Sequence, residues 1–183
     1  MPDIAIPIAV MLCGVFIAAA TDLWKFKVYN ALTFPLLLSG PIYHAHVNGV
    51  PGARASLVGI LFAFGVLIGP YLMGAVGAGD VKLVAGAGGW LGTPLTFWIL
   101  MASCIAAGIY ALVLILVERR VQETWVNLQI IWHRLWAIKP HLAAEHGLEA
   151  EANHTTHRRR AIPFAAMVAL GMSSILLWFR WFA

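Results

Sequence analysis

The stretch GAGDVKLVAGAGGWLGTP, residues 77–94, decides how this chain folds. It opens an apolar run that continues from residue 83 to residue 117. As one straight helix that run would be about 52 Å long at ~1.5 Å per residue, too long for a hydrocarbon core of ~30 Å. Gly92-Thr93-Pro94 is the natural break, since glycine frees the backbone and the Gly-x-Pro cluster punctuates helices. The run therefore divides into a short span near 81–92 and a full one near 95–117. The same stretch carries Asp80 behind Gly77-Ala78-Gly79, in a chain that otherwise keeps acids out of its apolar regions.

Four further runs lie at about 4–21, 31–48, 55–76 and 161–182, so the expectation is six spans. The composition agrees. The 183 residues are 61% hydrophobic and only 11% charged, whereas a soluble domain is about a quarter charged. Such a chain cannot clothe a water-facing surface, and we read it as an all-α, polytopic membrane protein with six transmembrane helices. Residues 1–183 form a single membrane domain, with a loop of about 118–160 between spans 5 and 6. No convincing internal repeat is visible.

Its basic residues mark a membrane side rather than a nucleic-acid partner. With the N-terminus outside, ten Lys/Arg fall inside and two, Arg54 and Arg180, fall outside. FIAAATD resembles a small-residue cleavage site, but the first residues carry no positive charge and one acid, Asp3, so span 1 is expected to be retained. Within the loop, Val121, Trp125, Leu128, Ile131, Trp132, Leu135 and Trp136 recur at helical spacing. That suits an amphipathic helix on the inner leaflet or an extension of span 5. His141, His146, His154 and His157 match no strong metal-ligand spacing, and no metal is expected. Cys13 and Cys104 read as small buried hydrophobes. His44 and His46 are placed at the outer interface, and Trp90, Trp178 and Trp181 in interfacial belts.

All five glutamates lie in the 118–160 loop, so between residues 4 and 117 the only carboxylates are Asp22 and Asp80. The topology puts both on the inner side, at the ends of different spans. Ionisable groups isolated in an apolar bundle point to function. Asp80 begins a short helix, where free N–H groups and the macrodipole favour negative charge. Gly86, Gly88 and Gly89 let neighbours close around it. Two such carboxylates held together would share one proton, the ionised member activating water and the protonated one polarising a peptide carbonyl. Spacing alone leaves open the alternative of two surface aspartates beside Lys25 and Lys82. It also leaves open whether Lys82 holds Asp80 ionised or anchors its span.

GAGDVKL resembles the GxGD motif of intramembrane aspartyl proteases, in the form of the type IV prepilin peptidase family, and of its short Flp/Tad-type class in particular. TDLWKFKVYN (21–30) resembles that family's first aspartate segment, and AIPFAAMVALG (161–171) the opening of its last span. The three stretches stand in the family's order. The resemblance implies that Asp22 and Asp80 are the catalytic pair, supported by the motif residues Gly77, Gly79, Lys82, Asn30 and Pro163. It implies cleavage of the leader peptide of prepilins at the cytoplasmic face of a bacterial inner membrane, with no cofactor and no metal. The partners implied are prepilins, with their leader peptide and N-terminal hydrophobic helix, and the lipid bilayer; no nucleic acid is expected, and homo-oligomerisation stays open. Tyr29 stands where the family usually has proline, before Asn30. The cysteine-rich insertion of the larger peptidases is missing between spans 1 and 2, which puts N-methylation in doubt. Two other classes fit less well: a proton- or cation-coupled transporter, and an inactive scaffold of a pilus or secretion assembly.

Overall fold

The computed structural model of the chain describes residues 2–25, 28–72, 76–118 and 163–182. Among these all regular structure is helical: α1 (Pro2–Lys25), α2 (Asn30–Leu72), α3 (Ala78–Glu118) and α4 (Phe164–Phe182). The amphipathic helix and the four loop histidines expected within 118–160 lie outside the described residues. The chain divides into two units, Met1–Ile109 with Pro163–Ala183, and Tyr110–Ile162. The first unit carries both aspartates; of the second, the described part is the end of α3.

Stretches of α1, α2 and α3 are long and apolar enough to cross a membrane, namely Ala5–Lys25, Asn30–Leu72 and Ala78–Leu114. By that measure the described residues give three candidate spans rather than six; they hold four helices, two of which are broken. Gly49 interrupts α2 at φ 63°, ψ −152°, and Gly92 interrupts α3 at φ 76°, ψ 172°. Both lie in a region that only glycine enters without strain. Each is followed two residues later by a proline, Pro51 or Pro94, suited to the first turn of the next helical stretch. The break foreseen at Gly92 is present. The connection expected across 49–54 shrinks to Gly49 alone, and Arg54 sits on an exposed position of α2.

The first half of α3 is the centre of the first unit: Val81 and residues 83–90 are all buried. Its glycines explain how. A Cβ on Gly40 would meet the backbone of Gly89 at 2.9 Å, and Gly59 and Gly88 are closer still, backbone to backbone. Gly86 lies against Leu36. Gly40 in the first half of α2 and Ser56 and Gly59 in its second half thus meet the same three residues, Gly88–Trp90, so the chain reverses at Gly49. Without a hydrophobic force between helices in lipid, such close backbone approach supplies dispersion contact instead. α1 packs on α2 through Gly14 and Leu36, and the second half of α3 meets α4 where Gly171 abuts Ser103 and Ile99.

Two expectations are overturned here. Trp90 is only 6% exposed; its indole N–H donates to the Leu36 carbonyl at 2.9 Å and its ring stacks on Tyr43 at 5.1 Å. It is a core residue rather than part of an interfacial belt, because the glycines around it leave room for the ring. Cys13 and Cys104 are exposed rather than buried. In a bundle whose outer surface is itself apolar, a small apolar side chain is as much at home outside as inside.

Candidate active site

α1 ends in Thr21-Asp22-Leu23-Trp24-Lys25. A carboxylate there opposes the helix's own dipole, which favours cations at this end. The compensation comes from α4. Pro163 has no N–H to satisfy, and its carbonyl accepts the N–H groups of Ala166 and Met167 at 3.1 and 3.2 Å, capping the helix. The Ala165 N–H is left over from this cap, and it donates to Asp22 Oδ2 at 3.0 Å. The Ala166 N–H is also turned to that carboxylate. Asp22 is buried, 7% exposed, at the positive end of a second helix.

Asp80 is the third residue of α3. Gly77 caps this helix, its carbonyl accepting the N–H groups of Asp80 and Val81, each at 3.1 Å. The Asp80 carboxylate reaches back to the Gly77 N–H, the reciprocal half of a capping box. Gly77 is needed for closeness as well, since a Cβ there would stand 3.1 Å from Asp80 Oδ2. The other oxygen, Oδ1, is buried and has no hydrogen-bond partner among the described residues. Asp22 lies near enough for its charge to act directly on Asp80. Two acids from distant stretches of sequence therefore share one end of the bundle.

Val28 and Tyr29, just before α2, lie at this end as well. A Cβ on Gly79 would come within 2.9 Å of the Val28 carbonyl oxygen. The Tyr29 carbonyl caps α2, accepting from Leu32 and Thr33 at 3.0 and 3.2 Å. This is backbone chemistry, indifferent to the loss of the usual proline. Asn30 Oδ1 accepts from Lys82 Nζ at 3.0 Å, and the same ammonium lies 4.6 Å from the centroid of Phe34. The ammonium thus faces α2 rather than Asp80. The reason is helix geometry, since residues two apart do not face each other.

All seven residues singled out by the sequence thus lie at the ends of α1–α4 nearest the two acids. The feature that sequence reading missed is the Ala165 N–H, a backbone donor without side-chain identity; the signal for it was Pro163 marking a helix start. Among the described residues no three of His, Cys, Asp and Glu gather as metal ligands do.

A cleft lies at the opposite end. Pro7, His44, Asn48, Ser56, Trp90 and Pro94 are among the residues lining a cleft of about 410 Å³. From Pro7 to Asp22 along α1 is roughly 22 Å by helix rise, so this cleft belongs to neither aspartate. His44 is not simply interfacial, as its Nε2 lies 3.0 Å from the Trp90 carbonyl.

The family model of the type IV leader peptidase family matches residues 9–112, a stretch that includes both aspartates. The chain belongs to the type IV leader peptidase family. With its apolar helices, membership makes it an integral membrane protein of a peptidase family. No curated protein and no solved structure matches the chain. Pro163 and the start of α4 fall outside the family match, yet the Ala165 N–H there supplies the hydrogen bond to Asp22.

Proposed function

We propose that the chain is a metal-independent aspartic endopeptidase that removes the leader peptide of type IV, Flp-type prepilins. Asp22 and Asp80 are its catalytic pair. One observation carries this reading: a buried Asp80 oxygen without a partner among the described residues, near a second carboxylate held by a helix N-terminus. An unsatisfied buried acceptor is costly unless a water or substrate group completes it. A water between the two acids would lose a proton to the ionised carboxylate as it attacks the scissile carbonyl. The protonated carboxyl would donate to the carbonyl oxygen; as the C–N bond breaks, the carboxyl that took the water's proton would pass it to the leaving amine, and the other would recover its proton from the diol hydroxyl.

As a straight rod α2 would be about 65 Å long, twice a bilayer core. Its reversal at Gly49, and the break at Gly92, let α2 and α3 each cross twice, for six crossings in all. Lysines and arginines favour the aspartate end as cytoplasmic, with the N-terminus outside. A prepilin then lies with its hydrophobic helix in the bilayer and its leader at that face.

The test is to incubate the purified protein with candidate prepilins and read the new N-terminus by mass spectrometry. A single cut between leader and mature chain, lost in Asp22→Asn and in Asp80→Asn, is the expected result. Cleavage at normal rate by either variant would overturn the two-carboxylate mechanism.

A further inference from the structure

Lys82 is too far round the helix to serve Asp80 directly, yet its ammonium is held from two sides. Asn30 Oδ1 accepts a hydrogen bond at 3.0 Å and the Phe34 ring lies 4.6 Å away. Asn30 and Phe34 are four residues apart, so both lie on one face of α2. On α3, Gly79, Lys82 and Gly86 are three and four residues apart and share a stripe. Their contacts agree: Gly79 meets Val28, Lys82 meets Asn30 and Phe34, and Gly86 meets Leu36. This stripe is the seam between α3 and the start of α2. Asp80 lies about 100° from Gly79 and about 200° from Lys82 around the axis, at 3.6 residues per turn.

The seam closes by near approach along its length: a Cβ on Gly79 would stand 2.9 Å from the Val28 carbonyl oxygen, and one on Gly86 3.5 Å from Leu36. The glycine of its lowest turn, Gly79, places no side chain in the seam. Between the two glycines, the side-chain contact across it is Lys82 on Asn30, with the same cation over an aromatic face. Gly77 ties Asp80 only to its own helix, and Asp80 Oδ1 holds nothing among the described residues.

We infer that Lys82 is a positioning residue: its clasp on Asn30 and Phe34 sets the rotation of the first turn of α3 and so aims Asp80 at Asp22. The inference rests on the peptidase reading for its consequence in catalysis, but not for its geometry. It also gives Asn30 a task, as the acceptor that α2 offers to α3.

The test separates the two. In a Cys13→Ala, Cys104→Ala background, Asp22→Cys and Asp80→Cys are joined in native membranes by a short bifunctional thiol reagent, and the rate is followed by gel shift. Adding Lys82→Met, which keeps the stem on Phe34 but loses the donor, should slow cross-linking several-fold. In the chain with both aspartates, Lys82→Met and Asn30→Ala should each lower kcat roughly tenfold with KM unchanged, and together no further, as expected of contacting residues. Lys82→Arg, which keeps the donor, should recover most of the loss. Only variants that elute as a single species in detergent are compared. Equal cross-linking rates with Lys82 and Lys82→Met, or effects of the two substitutions that multiply, would overturn the inference. If the parent protein cuts no prepilin, the peptidase reading falls while the cross-linking rate still decides the role of Lys82.

Discussion

At the cleft end, several polar groups of the bundle answer one another. Ser56 Oγ donates to the Gly89 carbonyl at 2.6 Å, the Trp90 indole to Leu36 at 2.9 Å, and His44 meets the Trp90 carbonyl. At the aspartate end, a carboxylate oxygen is buried with no partner among the described residues. Both ends use the same devices, namely glycine-lined seams, helix ends and proline at or near a helix start. Neither end is wholly paired, since Thr96 Oγ1, two residues beyond Pro94, is also buried without a partner among the described residues; the ends differ in that the unpaired acceptor at the aspartate end is a carboxylate oxygen near a second acid. A satisfied network stabilises a bundle, whereas an unsatisfied acceptor beside a second acid costs stability and is kept where chemistry needs it. The first pattern we read as structure, the second as the proposed site.

Substitutions at the two ends should therefore fail in opposite ways. The largest effect is expected at the acids. Asp22→Asn and Asp80→Asn should each lower prepilin cleavage by at least roughly 10²–10⁴-fold, the range of a lost general acid or base, with no fall in melting temperature in detergent. Next comes the kink. Gly92→Ala forces a side chain into a backbone region reserved for glycine and should cost about 1–3 kcal/mol, read as a lower melting temperature by tryptophan fluorescence, with the remaining folded protein still cleaving. Trp90→Phe removes one buried donor and should cost about 1 kcal/mol, again without a selective effect on cleavage. The smallest belongs to Cys13→Ala, on the outer surface, which should stay within about 0.5 kcal/mol of the parent. If Gly92→Ala or Trp90→Phe abolished cleavage in folded protein, the contrast between the ends would fail.

Much of this was legible in the residues. The break at Gly92 announces itself as Gly-x-Pro inside a run too long for one crossing, and Gly86, Gly88 and Gly89 announce close packing. Gly49-Val50-Pro51 carries the same signal, in the gap between the runs 31–48 and 55–76 that also holds Arg54. Burial was harder to read. In a soluble protein an apolar residue is drawn inward, but here Trp90 went in and Cys13 and Cys104 stayed out, because the surroundings are apolar on both sides. The candidate acids stood out by being alone between residues 4 and 117, a matter of counting. What held them did not stand out. The Ala165 N–H belongs to the backbone, and the partner of Lys82 is fixed by its angle around α3 rather than by its nearness in sequence to Asp80.

The central claim is that Asp22 and Asp80 work as one unit. Single-turnover cleavage of a prepilin, followed by mass spectrometry, tests it in the parent, Asp22→Asn, Asp80→Asn and the double variant. Residues that act together are strongly non-additive, so each single variant should be as inactive as the double. Single variants that each keep a partial rate, with losses that multiply in the double, would show two independent side chains and contradict the account.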